Sequence, residues 1–163
     1  MNKTRVNDGI LYAKEAITKF GISNKKNEVQ KTFRGQISTF GAAVTMGSLK
    51  SAVAFFAAQG NSDVDRPKLL KAMYYVIKNI ENQQYVFNET DFEPSKIFEY
   101  ICRNDNNKTK EKFTDASISI KLAMNFFRLV DKNKEKQESQ NTPSTENTKQ
   151  QQQENENNLS QSS

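Results

Sequence analysis

The feature that most constrains this chain is the step between its apolar residues, which is three or four almost throughout residues 4–131 and nowhere sustained at two. Val29, Phe33, Ile37, Phe40 and Val44 step by 4, 4, 3 and 4, so at about 100° per residue all five share one helical face. Val6, Ile10, Ala13, Ile17 and Phe20 behave the same way ahead of Gly21, a residue suited to a left-handed C-cap. The stripe from Val6 to Phe20 predicts helix A over residues 4–20, and the stripe from Val29 to Val44 predicts helix B. Gly41 and Gly47 each weaken a helix by about 1 kcal/mol relative to Ala, which predicts a kink or break before Leu49, Val53 and Phe56 resume the stripe as helix C, ending at Gly60.

Asp65-Arg66-Pro67 is a helix start, because Asp can cap free amide groups and Pro is tolerated in the first turn, where its missing N–H costs nothing. Helix D then carries Leu69, Leu70, Met73, Ile77 and Ile80 inward. Residues 81–95 hold no sustained period and read as a loop with one short extended turn at Tyr85–Phe87. Ser95 to Ile101 forms a short helix E, stopped by the Asn-rich run 104–107. Phe113, Ala116, Ile120, Ala123, Met124, Phe127 and Val130 define a long helix F. No convincing strand pair appears. The expected fold is therefore all-α, a single bundle of five to six helices over residues 1–132.

Residues 133–163 differ in kind. In residues 132–163 Leu159 is the only large apolar side chain among Gln, Asn, Ser and Glu. Such a segment cannot bury enough apolar area to offset its ordering entropy, so a disordered C-terminal tail is expected. Charge divides similarly. Setting aside the four Lys and five Glu of residues 132–163, 20 of the 24 basic and 14 of the 19 acidic groups remain, a net of +6 on the folded part.

Composition also excludes chemistry. The chain has no His, which removes the commonest acid–base group and metal ligand. One cysteine, Cys102, cannot close an intrachain disulfide, and its expected role is a small buried side chain. The polar N-terminus and the lack of any run near 18 apolar residues point to a cytoplasmic protein without a membrane span. The acidic groups Asp63/Asp65 and Glu89/Asp91/Glu93 read as a charged helix start and a solvated loop rather than a hard-metal site. No phosphate loop or nucleophile signature is present, and no cofactor or metal is expected.

The positive charge lies in stripes. On helix F, Ser117, Lys121, Asn125, Arg128 and Lys132 repeat every three or four residues beside the apolar face, without an acid. Helix B repeats this with Lys31, Arg34 and Ser38, where Gly35 permits close approach, and helix D carries Lys68, Lys71, Tyr75 and Lys78 opposite its apolar face. Such stripes attract polyanions, because each neutralised phosphate releases condensed counterions. Phe33, Phe40, Phe56, Phe113 and Phe127 occupy core positions, so base-stacking platforms and sequence-specific readout are not supported.

Phe33 through Gly60, FRGQISTFGAAVTMGSLKSAVAFFAAQG, resembles a segment of the small helical subunit of the Cmr effector complex, the type III-B CRISPR interference particle. In that segment an aromatic residue precedes a small-residue bend and a leucine-led helix ending in Ala-Phe, here Leu49 and Ala54-Phe55. Phe113 through Val130 is similar to the family's last helix, with Lys121 and Ala123 in register before the apolar cluster at 124–127. The similarity spans residues 3–132. Gly41 replaces a frequent Pro, Gly47-Ser48 an Asn-Gly turn, and Ser38-Thr39 the basic residues before that Pro.

The resemblance implies a non-catalytic subunit whose copies stack beside backbone RAMP subunits and line the groove that holds guide RNA and target RNA, with nucleotide signalling left to the large polymerase-like subunit. It places Lys121 on the family's basic pattern. Lys31, Arg34, Arg128 and Lys132 complete the candidate phosphate contacts on stripe geometry alone. The rival readings are a helical protein-interaction module unrelated to nucleic acid, the corresponding small subunit of the type III-A particle, and a metal-dependent enzyme using the acidic loop.

Overall fold

A computed structural model describes residues 1–58 and 64–131. Six α-helices carry the fold: α1 (Lys3–Lys19), α2 (Lys31–Met46), α3 (Leu49–Ala57), α4 (Arg66–Glu81), α5 (Pro94–Arg103) and α6 (Asn107–Ala123). The all-α expectation holds. Two strands, β1 (Glu28–Gln30) and β2 (Arg128–Val130), add a small parallel ladder, and short 3-10 turns stand at Glu89–Phe92 and Met124–Phe126. The expected tail at 133–163 and the end of helix C at Gly60 lie outside the described residues, and α3 closes at Ala57.

The helix ends follow local chemistry. Asn2, Ser48 and Asn106 accept from the amides of Arg5, Ser51 and Thr109, capping α1, α3 and α6. Gly21 sits at φ +63°, while Ile22 N–H donates to Ile17 O at 2.9 Å and Gly21 N–H to Thr18 O at 3.1 Å. This paired closure is the glycine-ended helix stop that the sequence predicts. The break between α2 and α3 falls at Gly47, where a Cβ would stand 3.0 Å from Ala43 O.

At the centre lies α4, buried on nearly every side through Leu69, Leu70, Ala72, Met73, Tyr74, Tyr75, Val76 and Ile77. Tyr75 therefore does not belong to an exposed basic stripe. Its hydroxyl donates to Glu15 at 2.5 Å. Helices α1 and α6 run parallel, as their ordered contacts show: Arg5 pairs with Asp115 at 2.8 Å, Ser119 Oγ donates to Val6 O at 2.9 Å, and Lys14 lies over the Phe126 ring at 5.7 Å. Gly9 permits this approach, since a Cβ there would fall 2.6 Å from Ser119 Oγ and 3.1 Å from Val76 Cγ1.

Phe40, Phe56 and Phe113 join α2, α3 and α6, with ring centroids 5.1 Å apart for Phe40–Phe56 and 6.5 Å for Phe40–Phe113. A second aromatic cluster gathers Phe20, Tyr74, Tyr75, Tyr85 and Phe87 around the fully buried Phe92. The 81–95 segment is thus anchored by Phe92 on its 3-10 turn, with Tyr85 and Phe87 packed beside it.

Four expectations are corrected here: the absence of a strand pair, the end of helix F, the start of helix B and the burial of Cys102. Helix F stops at Ala123 rather than running to Val130, because residues 128–130 extend and pair with β1 in the register Glu28↔Arg128, Val29↔Leu129, Gln30↔Val130. For the same reason helix B begins at Lys31, and Val29 is buried in a strand. Cys102 is exposed rather than buried, since it lies on the outer face of α5 beside the inward-facing Ile101.

Candidate nucleic-acid interface

The ladder decides where the predicted cations go. Asn24 shapes the loop before β1 by accepting from Lys26 N–H at 2.9 Å and Glu28 N–H at 3.0 Å, an Asx arrangement that turns the chain. Asn27 takes φ +58°, which Asn tolerates better than most residues, and its carbonyl accepts from Arg128 N–H at 3.1 Å. β1 and β2 are thereby held side by side. Charges on and just after the two strands then meet, Arg128 with Glu28 at 3.2 Å within the ladder and Lys31, which opens α2, with Asp131 at 2.8 Å beyond it.

Of the five predicted contacts, Lys31 and Arg128 are brought together on one edge of the fold, each beside an acid. The Lys31–Asp131 pair is exposed on both sides and contributes only about 0–1 kcal/mol, while Arg128 is exposed above a Glu28 side chain that is largely covered, so both cations face solvent and can meet a stronger anion. Arg34, half-buried one turn into α2, and Lys121, exposed near the end of α6, have no ion-pair partner among the described residues. Lys132 lies outside the described residues. The stripe 117–132 is not one helical face: Ser117 is buried with its hydroxyl donating to Thr114 O at 2.7 Å, and Arg128 sits on a strand.

The outer face of α2 supplies what the charge stripes alone do not reveal. From Lys31 to Ser62 there is no acidic residue. Gly35, Ser38, Thr39, Ala42 and Thr45 are exposed there, and nothing lies within 4 Å of the place a Gly35 Cβ would take. Ser38, Thr39 and Thr45 donate to the carbonyls of Arg34, Gly35 and Gly41 at 3.1, 3.2 and 2.9 Å. Their protons are spent within the helix, so attraction for an anion comes from the cations, while the small side chains let a backbone come close.

The third stripe is not free surface. Lys68 pairs with Asp65 at 3.4 Å, and Lys78 lies over the rings of Tyr74 and Tyr100 at 5.2 and 5.6 Å. Of the acidic groups, Asp91 accepts from Tyr85 Oη at 3.1 Å, and among the described residues no group of three or more Asp, Glu or Cys could hold a metal ion. No helix among the described residues is long and apolar enough to cross a membrane.

The partners Glu28 and Asp131 escape sequence reasoning because each meets its cation across 100 residues of chain. The acid-free stretch is the signal that was present in the sequence. No family model, curated protein or solved structure matches this chain.

Proposed function

We propose that this chain is the small helical subunit of a type III-B CRISPR interference particle, working in the cytoplasm as a non-catalytic member of its minor filament. In this reading it holds guide RNA and target RNA by their phosphates beside further copies of itself. Backbone RAMP subunits cut, and the large polymerase-like subunit signals.

The observation that carries the reading is the acid-free outer face of α2, with Arg34 upon it and the Lys31–Arg128 edge at its start. It is supported by the packing of Phe40 and Phe56 with Phe113, which joins the two segments of family resemblance in one core. An RNA-binding titration across salt tests it. The logarithm of affinity should fall linearly with the logarithm of salt, and Arg34→Ala with Lys121→Ala should reduce the slope by about 1.4 on single-stranded RNA, roughly 0.7 for each phosphate that is no longer neutralised. An unchanged slope contradicts the assignment of these residues, and absence of binding at low salt contradicts the reading itself.

A second reading, a protein-interaction module unrelated to nucleic acid, is favoured by Leu11 and Phe126, which are 73% and 65% exposed on adjoining elements. Apolar docking there would barely respond to salt.

A further inference from the structure

Arg66 opens α4 and is only 8% exposed, yet its Nε is buried without a hydrogen-bond partner. Among the described residues neither Nη makes a hydrogen bond or an ion pair. The guanidinium instead lies over the ring of Phe55 at 4.0 Å, and Phe55 is 49% exposed at the surface of α3. At the start of α4 the Asp65 side chain makes no capping bond, Arg66 N–H donates to Val64 O at 2.9 Å, Pro67 has no N–H, and Lys68 N–H donates to Asp65 O at 3.2 Å.

A buried Nε–H without an acceptor is costly, and such a group ordinarily marks a missing partner. We propose that Arg66 and Phe55 form a docking point for a partner protein, which presents a carboxylate to the guanidinium and an apolar group to the Phe55 ring. Charge complementarity selects the carboxylate, whose two oxygens match the planar fork of donors. Burial selects a single side chain over a nucleic-acid strand, because Arg66 is only 8% exposed, whereas a phosphodiester chain needs an open row of cations. Asp65 points the same way, since its charge, half-answered by Lys68 at 3.4 Å, would oppose a run of phosphates more than one carboxylate. Arginine beside an exposed aromatic is also the composition of interface hot spots. The inference is independent of the RNA reading, which rests on α2, α6 and the strand ladder.

Phenylacetate is the probe. Added to the isotopically labelled 163-residue chain, it should shift the Arg66 Nε–H NMR resonance saturably, with half-saturation on the order of millimolar, as ligands of about ten heavy atoms allow. Phenylacetamide, which lacks the charge, should leave it unmoved, and Phe55→Ala should abolish the shift. No shift, an equal shift with the amide, or a stronger response to inorganic phosphate overturns the proposal. Arg66→Met separates docking from a purely structural role. Relief of the unpaired charge should raise the melting temperature of the isolated chain, and a lower melting temperature would count against the proposal.

Discussion

Gly9 shows how much a single hydrogen can carry. With Ser119 Oγ held by the carbonyls of Val6 and Asp115 at 2.9 and 3.0 Å, it cannot swing aside for a methyl group, and Val76 closes the other side. Gly9→Ala should destabilise the chain by about 1–3 kcal/mol through overpacking, and Ser119→Gly should recover part of that loss, both read from chemical denaturation. A few residues away, the fully buried Asp115 accepts from Arg5 and from Asn2 N–H at 3.1 Å. Arg5→Met would leave the carboxylate without its cation at a cost of about 3–5 kcal/mol. A loss below 1 kcal/mol would show that the Asn2 amide suffices.

The tyrosines give the pH dependence a sign. Burial, then the hydrogen bond to Glu15 and that carboxylate's charge, pushes the Tyr75 phenol up to about 12. Burial likewise raises Tyr74 and Tyr85. The unfolded chain loses these protons near pH 10 while the folded chain retains them, so stability is complete below about pH 10 and declines as pH rises toward 12. Urea titrations at stepped pH should show this decline, and Tyr75→Phe should make it shallower. Stability that holds constant to pH 12 contradicts the buried placement.

Among the elements, β1 and β2 explain why some of the fold was legible and some was not. The step of Phe33, Ile37, Phe40 and Val44 identifies α2 because every member packs inward. Phe127 and Val130 continue the helical step of α6 in sequence, although the chain has already left the helix. A strand of three residues is too short for an alternating period to register, and its partner lies about a hundred residues away. The same gap hid Glu28 and Asp131. Neutralising both acids, Glu28→Gln with Asp131→Asn, should free Arg128 and Lys31, tighten RNA binding and steepen the salt dependence by up to about 1.4 on single-stranded RNA. Weaker binding would mean that the pairs hold the two cations in place for the RNA.

On the scale of the whole molecule, the helical order and the position of the core were readable because the apolar stripes are nearly continuous. The candidate site was readable only in part. Periodicity marked Lys31, Arg34, Lys121 and Arg128 as cationic, while tertiary pairing, which local spacing does not encode, decides which of them carry net charge at the surface. Weak phosphate contacts of this kind add when several copies align along one strand, because each further contact becomes intramolecular. The most direct test is therefore purification of the tagged chain from its native host, with the bound RNA sequenced and the accompanying proteins identified. The account predicts short RNAs bearing CRISPR repeat tags together with RAMP-type subunits. Recovery of the chain at low and moderate salt with neither would contradict it.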